Sequence, residues 1–462
     1  MSASNSSLGR EQYLGLTALS MAVFLVANDF TAFAPALPAI ENEFNVDITT
    51  SQWIINGYAL VFGVLIITGG RLADLYGRRN IFFCGTLVFM FFSLLGGLAV
   101  NVYLLLVSRA LMGIGAAMMW PSVLGMTYNL MPEDRSGQAG GLIMAVCAFA
   151  NAIGPVLGGT LADLLSWRWI FLINIPIASL AMFVCWKVVP FEPPEQTDEK
   201  IDYPGVATLS ISLFGLLFAL DMSGQIGFKH PLIIALLTVF CVFICVFAIT
   251  EYRTGRNALV PGDVIGNRKF LAASVVTLLV AVLYFSALLY VPQFLTKTQG
   301  YSAMQSGMSL IPLMVISGVF AYLSGRFYEV IGPRWLAGAG ILCMCVGMFM
   351  LSHLDDHTGF LALLPGMTML GTGIGLFNPA ITTAAITAVS PGRASLAGAV
   401  LYMFKIAGGA IGLGMNATIV AFAPDISSGI DRAFTVNAYL ALAGLVGCLF
   451  FVGASKKKEV SG

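Results

Sequence analysis

Apolar runs of about twenty residues, separated by short polar clusters, recur along the whole 462-residue chain. A run of that length crosses roughly 30 Å of hydrocarbon as an α-helix. The strict alternation over about ten residues that a membrane-spanning strand needs does not occur. The pattern predicts fourteen spans. They are Tyr13–Pro35, Gln52–Leu72, Ile81–Val100, Val102–Tyr128, Gln138–Leu161, Trp169–Val189, Gly205–Leu220, Pro231–Ile249, Phe270–Phe294, Met304–Ser324, Trp335–Leu351, Phe360–Ala388, Leu396–Ala421 and Ala433–Gly453. The length and position of the first span, and Asp29 within it, argue against a cleaved signal peptide.

Composition agrees with this pattern and excludes a water-soluble domain. Hydrophobic residues make up 58% of the chain and charged residues 10%, against about 25% charged in globular proteins. Mean hydropathy is +0.89. The net charge is zero, so only its sidedness is informative. Of the 23 Lys and Arg, 17 fall on the side of the termini. The opposite side has four, Arg168, Lys229, Lys297 and Arg432, and Arg109 and Lys405 lie inside spans. The positive-inside rule then puts both termini in the cytoplasm, in the inner membrane of the cell. The eight cysteines sit in apolar spans, where they read as small core residues. His230, His353 and His357 lie at loop edges without metal-ligand spacing.

An internal repeat divides the chain. Glycine, arginine, acid, glycine and arginine recur at one spacing in Gly70–Arg79 and in Gly325–Arg334, 255 residues apart. Gly113, Gly115 and Pro121 recur as Gly371, Gly373 and Pro379, 258 residues apart. Two six-helix bundles follow, residues 1–190 and 256–462. Residues 191–255 between them hold a linker and two inserted membrane helices. The stretch from Lys187 to Pro204, rich in Glu, Asp and Pro, reads as a solvated linker.

The motifs at these helix ends resemble one family. Gly70–Arg79 is similar to the loop signature of the major facilitator superfamily. Leu105, Arg109, Gly113, Gly115, Ala116 and Ala117 resemble its fourth-helix motif, and Gly154-Pro155-x-x-Gly158-Gly159 its fifth-helix antiporter motif. Asp29-x-Thr31 with Ala36-Leu37-Pro38, and Trp167-Arg168-Trp169 through Asn174 and Pro176, resemble the first- and sixth-helix patterns. Asn28 departs from a usual leucine, Ala34 from an asparagine, Met112 from a glutamine and Ala150 from a glycine. The resemblance, to the fourteen-spanner drug:proton antiporters (EmrB/QacA-like), implies an all-α major-facilitator fold and proton-coupled export by alternating access.

A proton-driven exporter needs a buried group whose proton affinity changes as water or a cation moves beside it. Asp29 is the candidate, placed near mid-depth if the first helix runs to Ile40; an ionisable residue in a span is a functional candidate by default. Arg109 either tunes a carboxylate or snorkels to the headgroups. Lys405, next to Gly408 and Gly409, is a second buried cation suited to substrate or to packing. Asp221, at the predicted end of span seven, reads as an interfacial cap. Gly70, Arg71, Asp74, Gly77, Arg78 and Arg79 form a candidate cytoplasmic gate, with Asp74 just ahead of the third helix and its positive dipole. In the fifth helix Gly154, Pro155, Gly158 and Gly159 permit a bend and close approach. Asn28, Asn56, Tyr58, Trp120, Asn151, Asn378 and Lys405 are the candidate substrate cavity.

Spans nine to fourteen, by these bounds, contain no acid, which argues against polycations as substrates. Sparse polar groups among many aromatics and methionines suit lipophilic ones. The runner-up is a dedicated exporter of one endogenous, anionic metabolite, since two buried cations face one buried acid. No nucleophile or metal constellation points to an enzyme, and no GxxxxGK[ST] loop to an ATPase. The partners are then a small-molecule substrate, protons and the lipid bilayer, with no cofactor, metal or nucleic acid, and the chain acts as a monomer.

Overall fold

The computed structural model describes residues 8–191, 199–227, 229–353 and 358–451. His357 lies outside them. Among the described residues fourteen helices have 15 residues or more. The first half contains α1 (Arg10–Asn28), α2 (Ile48–Tyr76), α3 (Arg78–Gly97), α4 (Val102–Leu130), α5 (Ser136–Leu164) and α6 (Asn174–Val188). Next come α7 (Tyr203–Ile226) and α8 (Pro231–Thr254). The second half contains α9 (Arg268–Gln299), α10 (Ile311–Ile331), α11 (Pro333–Leu351), α12 (Phe360–Ile386), α13 (Ala394–Ala421) and α14 (Ile426–Phe451).

Thirteen of these are long and apolar enough to cross a membrane, counted among the described residues. The one left out is α1, diluted by Arg10, Glu11 and Gln12 at its start. The ends follow local chemistry. Asp47, Asn101 and Asn267 cap α2, α4 and α9 by accepting backbone N–H groups. Gly77 and Gly332, again 255 residues apart, break α2 from α3 and α10 from α11 at φ of 91° and 86°, a region that favours glycine.

The repeat is visible in the packing. α4 lies between α2 and α3, and α12 lies between α10 and α11. The halves meet reciprocally, α2 against α13 and α10 against α5. The inserted α7 rests on α2 and α13, while α8 packs chiefly on α7. Over its most apolar window α8 has a hydropathy of 3.2 and only 6% of its residues buried. A helix apolar on every side yet unburied in protein is one that faces lipid.

Four expectations change. α1 stops at Asn28 instead of running to Pro35: the N–H groups of Phe30 and Thr31 turn to the carbonyls three residues back, Ala27 and Asn28, and Pro35 brings no donor. α7 continues past Leu220 to Ile226, so Asp221 caps nothing. α10 runs on to Ile331 and so includes Glu329. Glu199, in the stretch read as solvated linker, is instead held between two arginines. His230 caps α8 by accepting from Leu232 N, and His353 Nδ1 lies 3.0 Å from Phe349 O.

Candidate functional site

The first-half site grows from the turn after α1. Asp29 begins that turn, and Arg109 stands seven residues into α4, about 10 Å along its axis. The two form an ion pair in which both side chains are fully buried. Arg109 Nη1 donates to Asp29 Oδ2, Nη2 to the Asp29 carbonyl at 3.1 Å, and Nε to Ile54 O at 2.7 Å. The guanidinium lies over the rings of both Phe33 and Tyr58, at 4.3 and 4.4 Å from their centroids, so that their π-faces meet the cation. The other Asp29 oxygen accepts from Asn174 Nδ2 at 3.0 Å, and Asn174 is itself held by Ser93 Oγ at 3.2 Å. Desolvated charges persist only when paired and hydrogen-bonded to this degree.

This arrangement corrects two expectations. Arg109 does not snorkel. Asp29 stands at the C-terminal cap of α1 rather than inside a longer helix. Gly154 and Gly158 of α5 press against the same turn: an added Cβ would strike Thr31 Oγ1 at the first and the Ala32 carbonyl at the second. Gly159, by contrast, has ordinary room beside Pro35 and Met304, and Pro155 sits inside the helix.

At the end of the bundle where α1 begins, called the basic end, the two halves clasp. Asp74 lies in the last turn of α2, not ahead of α3. The dipole it meets is that of α13, whose Leu396 N and Ser395 N it accepts at 2.8 and 3.3 Å. Arg78 donates to Asp74 at 3.2 Å, to Ser395 Oγ at 3.0 Å and to Pro391 O. Gly70 lets α2 approach α13: a Cβ there would lie 2.7 Å from that of Ala399. Arg71, almost fully buried, bonds Glu199 at 3.1 Å. Glu199 in turn takes both prongs of Arg393 at 2.6 and 2.8 Å. Arg79 does not join this cluster. It donates to Trp186 O and Val189 O at 2.7 and 2.8 Å, closing the C-terminal end of α6.

The predicted cavity residues fall into three places. Trp120, Asn378 and Lys405 meet between the halves around a cavity of ≈ 20 Å³, room for about one water. Lys405 Nζ stands 5.0 Å from the Tyr284 ring and 5.6 Å from that of Tyr402, and among the described residues no carboxylate pairs with it. Asn28 and Tyr58 belong instead to the Asp29 neighbourhood, Tyr58 donating to Val26 O at 3.3 Å. Asn56 donates to Asp221 at 2.8 Å, and Asn151, which reaches Cys147 Sγ on its own helix, also meets the Tyr284 side chain and so joins the central group. Sequence reasoning missed Tyr284, Tyr402, Ser395, Arg393 and Glu199 as site residues. Asn174 was within reach, in the sixth-helix motif.

Two repeated helical bundles around a central polar spot, with a buried ion pair and a clasp at one end, define a membrane transporter. The sequence model of the Major Facilitator Superfamily matches residues 19–413 and 274–461. The chain is 32% identical to the puromycin resistance protein pur8 of Streptomyces alboniger, over 88% of this chain and 82% of that one. It is 30% identical to the lincomycin resistance protein of Streptomyces lincolnensis, over 97% and 92%. With multidrug resistance protein 3 of Bacillus subtilis it shares 29%, over 79% and 71%. Among solved structures, the human organic anion transporter MFSD10 (TETRAN) superposes with a TM-score of 0.70 at 14% identity, over 95% of this chain and 99% of that one; this likeness concerns the fold. The chain belongs to the Major Facilitator Superfamily and is a multi-pass membrane transporter of small molecules, not an enzyme.

Proposed function

We propose that this chain is a fourteen-spanning, proton-driven exporter of small lipophilic compounds, acting as a monomer in the inner membrane with both termini in the cytoplasm. Residues 1–190 and 256–462 are the two moving bundles, and 191–255 supply the linker and inserted pair. The observation that carries the coupling is the Asp29–Arg109 pair. Its members are fully buried, and a proton on Asp29 would strip Arg109 of its counter-charge. Loading a proton and releasing the α1 turn are then one event. The relatives named for resistance to puromycin, lincomycin and multiple drugs support export, and the apolar walls around Trp120 support lipophilic cargo.

In the proposed orientation the basic end is cytoplasmic, and its clasp closes the cytoplasmic path. A central space of ≈ 20 Å³ admits no drug-sized molecule, so cargo enters only when the halves part. Gly70, Arg71, Asp74, Gly77 and Arg78 act as the gate in this reading, while Arg79 anchors α6. Gly154, Pro155, Gly158 and Gly159 form the surface on which the α1 turn slides. The test is uptake of a fluorescent lipophilic compound panel by everted vesicles under an imposed proton gradient. Accumulation that follows the gradient and collapses with a protonophore supports the reading. Accumulation indifferent to the gradient refutes it.

A further inference from the structure

The inserted helix α7 carries a carboxylate that the transport cycle proposed above does not use. Asp221 stands about 27 Å along α7 from Tyr203, toward the end opposite the clasp. It lines a cavity of ≈ 190 Å³ between α2, α7 and α13. One of its oxygens accepts from Asn56 Nδ2 at 2.8 Å. The other is shielded from solvent and has no hydrogen-bond partner among the described residues. The rest of the wall is apolar, including Leu60, Leu217, Ile406 and Leu413, with the indole of Trp53. That indole leans on Phe218 at a centroid separation of 5.4 Å, which fixes its plane.

The carboxylates with fully shielded side chains described above each have an arginine: Arg109 for Asp29 and Arg78 for Asp74. Asp221 has only an amide, and no cationic side chain lines its cavity. The chemistry of the wall restricts what fits. An anion would be repelled. A neutral apolar molecule would leave the free oxygen unpaired at a cost. A bare metal cation asks for several oxygen ligands, and the lining supplies a single carboxylate and one amide. An organic ammonium satisfies every part of it, with its charge on the carboxylate, its methyl groups on the indole face and its body on the leucines.

We propose that the Asp221 cavity is a second binding site, taking a small organic ammonium cation, separate from the central cavity at Lys405. The two sites sort ligands by charge, because the Lys405 ammonium opposes a cation in the centre. The site needs no gradient and does not rest on the export reading.

The experiment is equilibrium titration of the full chain in nanodiscs with benzyltrimethylammonium, without any pH gradient. Wild type is expected to bind it saturably. Asp221→Asn keeps the size and the Asn56 contact but loses the charge, and is expected to weaken binding by about tenfold or more. Ala410→Phe fills the cavity and is expected to abolish binding, while Asp221→Glu retains most of it. A thermal midpoint for each variant checks that the helices remain assembled. Absence of saturable binding, Asp221→Asn affinity equal to wild type, or full binding by Ala410→Phe overturns the proposal. Proton-coupled export would survive any of those results.

Discussion

Asp74 and Glu329 hold the two halves together by the same device in opposite directions. Asp74, in the last turn of α2, accepts Leu396 N at the start of α13 at 2.8 Å. Glu329, in the last turn of α10, accepts Ser136 Oγ and Gly137 N at the start of α5, at 2.9 and 3.3 Å. Each acid therefore meets the positive end of a helix from the other half. The repeat is not fully symmetric, however. Arg78 reinforces Asp74, whereas Pro333 stands at the equivalent position after Glu329.

From that asymmetry, Asp74→Asn should open the basic end more than Glu329→Gln does. Asp74 is buried and its bonds to the α13 terminus are charge-assisted, worth about 1.5–3 kcal/mol, so opening should rise roughly tenfold or more. Glu329 is exposed and its loss should cost under about 1 kcal/mol. Maleimide labelling of Thr382→Cys from the basic side, in a chain lacking the eight native cysteines, reads the difference. Equal labelling in both variants would remove the latch role of Asp74.

Glu199 adds a third strand to the clasp, from the linker rather than from either half. Its hydrogen bonds to Arg393, with Arg71 beside it, hold its carboxyl below the usual glutamate range. A lowered value means that its contribution is complete above the ordinary glutamate pKa. The contribution disappears only as pH falls through the lowered one. Between pH 6 and 8 the contribution of Glu199 should therefore not change, and Glu199→Gln should loosen the clasp at neutral pH. The same thiol-labelling assay tests both statements; a Glu199→Gln chain that labels like wild type at neutral pH, or a difference between the two that shrinks from pH 8 to 6, would contradict the assignment to Glu199.

Much of this architecture was legible in the chain, for identifiable reasons. That the chain is a bundle of many membrane-crossing helices follows from apolar run length, and the matching packing of α2–α4 and α10–α12 follows from a spacing repeated at Gly70 and Gly325. Asp29 and Arg109 stood out because a charge in an apolar run is costly wherever it sits. Their mutual pairing was one of the roles open to Arg109, beside snorkelling, since contact between residues 80 apart depends on how α1 ends. Which helix Asp74 would cap was hidden for a similar reason: the dipole is generic, and only the packing of α2 on α13 selects it. Asp221 was misread because its helix was ended at Leu220, six residues before its observed end at Ile226. Glu199 was lost among the acids of a charged linker, where nothing local distinguishes a clasped residue from a solvated one.

The glycines of α5 make a sharper prediction than flexibility would. A methyl group at Gly158 collides with the Ala32 carbonyl, in the turn that begins with Asp29. Gly158→Ala should therefore cost about 1–3 kcal/mol through overpacking and should displace the turn, lowering transport. Gly159→Ala, whose Cβ finds only ordinary contacts at 3.5 and 3.8 Å, should be close to neutral. Thermal unfolding and transport rates of the two variants separate close packing from general looseness. A neutral Gly158→Ala would show that the turn yields easily.

Sidedness has its own check. Lys200 lies beside the clasp and Lys229 in the loop between α7 and α8, at opposite ends of one helix. In the proposed orientation Lys200→Cys is protected from an impermeant thiol reagent in whole cells and Lys229→Cys is labelled. Everted vesicles should reverse the pattern. Equal labelling of both positions in intact cells would refute the proposed layout.

The coupling site carries the mechanism, and the geometry states what its loss must do. Asp29 satisfies Arg109 through both its carboxylate and its carbonyl, while the Phe33 and Tyr58 rings and Ile54 O hold the guanidinium from the other sides. Asp29→Asn keeps the shape and can still accept from Arg109, so the bundle should assemble, with a loss of stability from the unneutralised buried cation. The variant has nothing to titrate. Gradient-driven accumulation should fall to the level seen with a protonophore, while substrate binding stays measurable and loses its dependence on pH. Asp29→Glu retains the titrating group but inserts a methylene into a fully buried site, at about 1–3 kcal/mol, so it should transport slowly yet remain coupled. Transport and binding measured side by side on these variants decide the matter. If Asp29→Asn accumulates substrate uphill as wild type does, the proton travels by another group and the ion pair serves only to brace the α1 turn against α4.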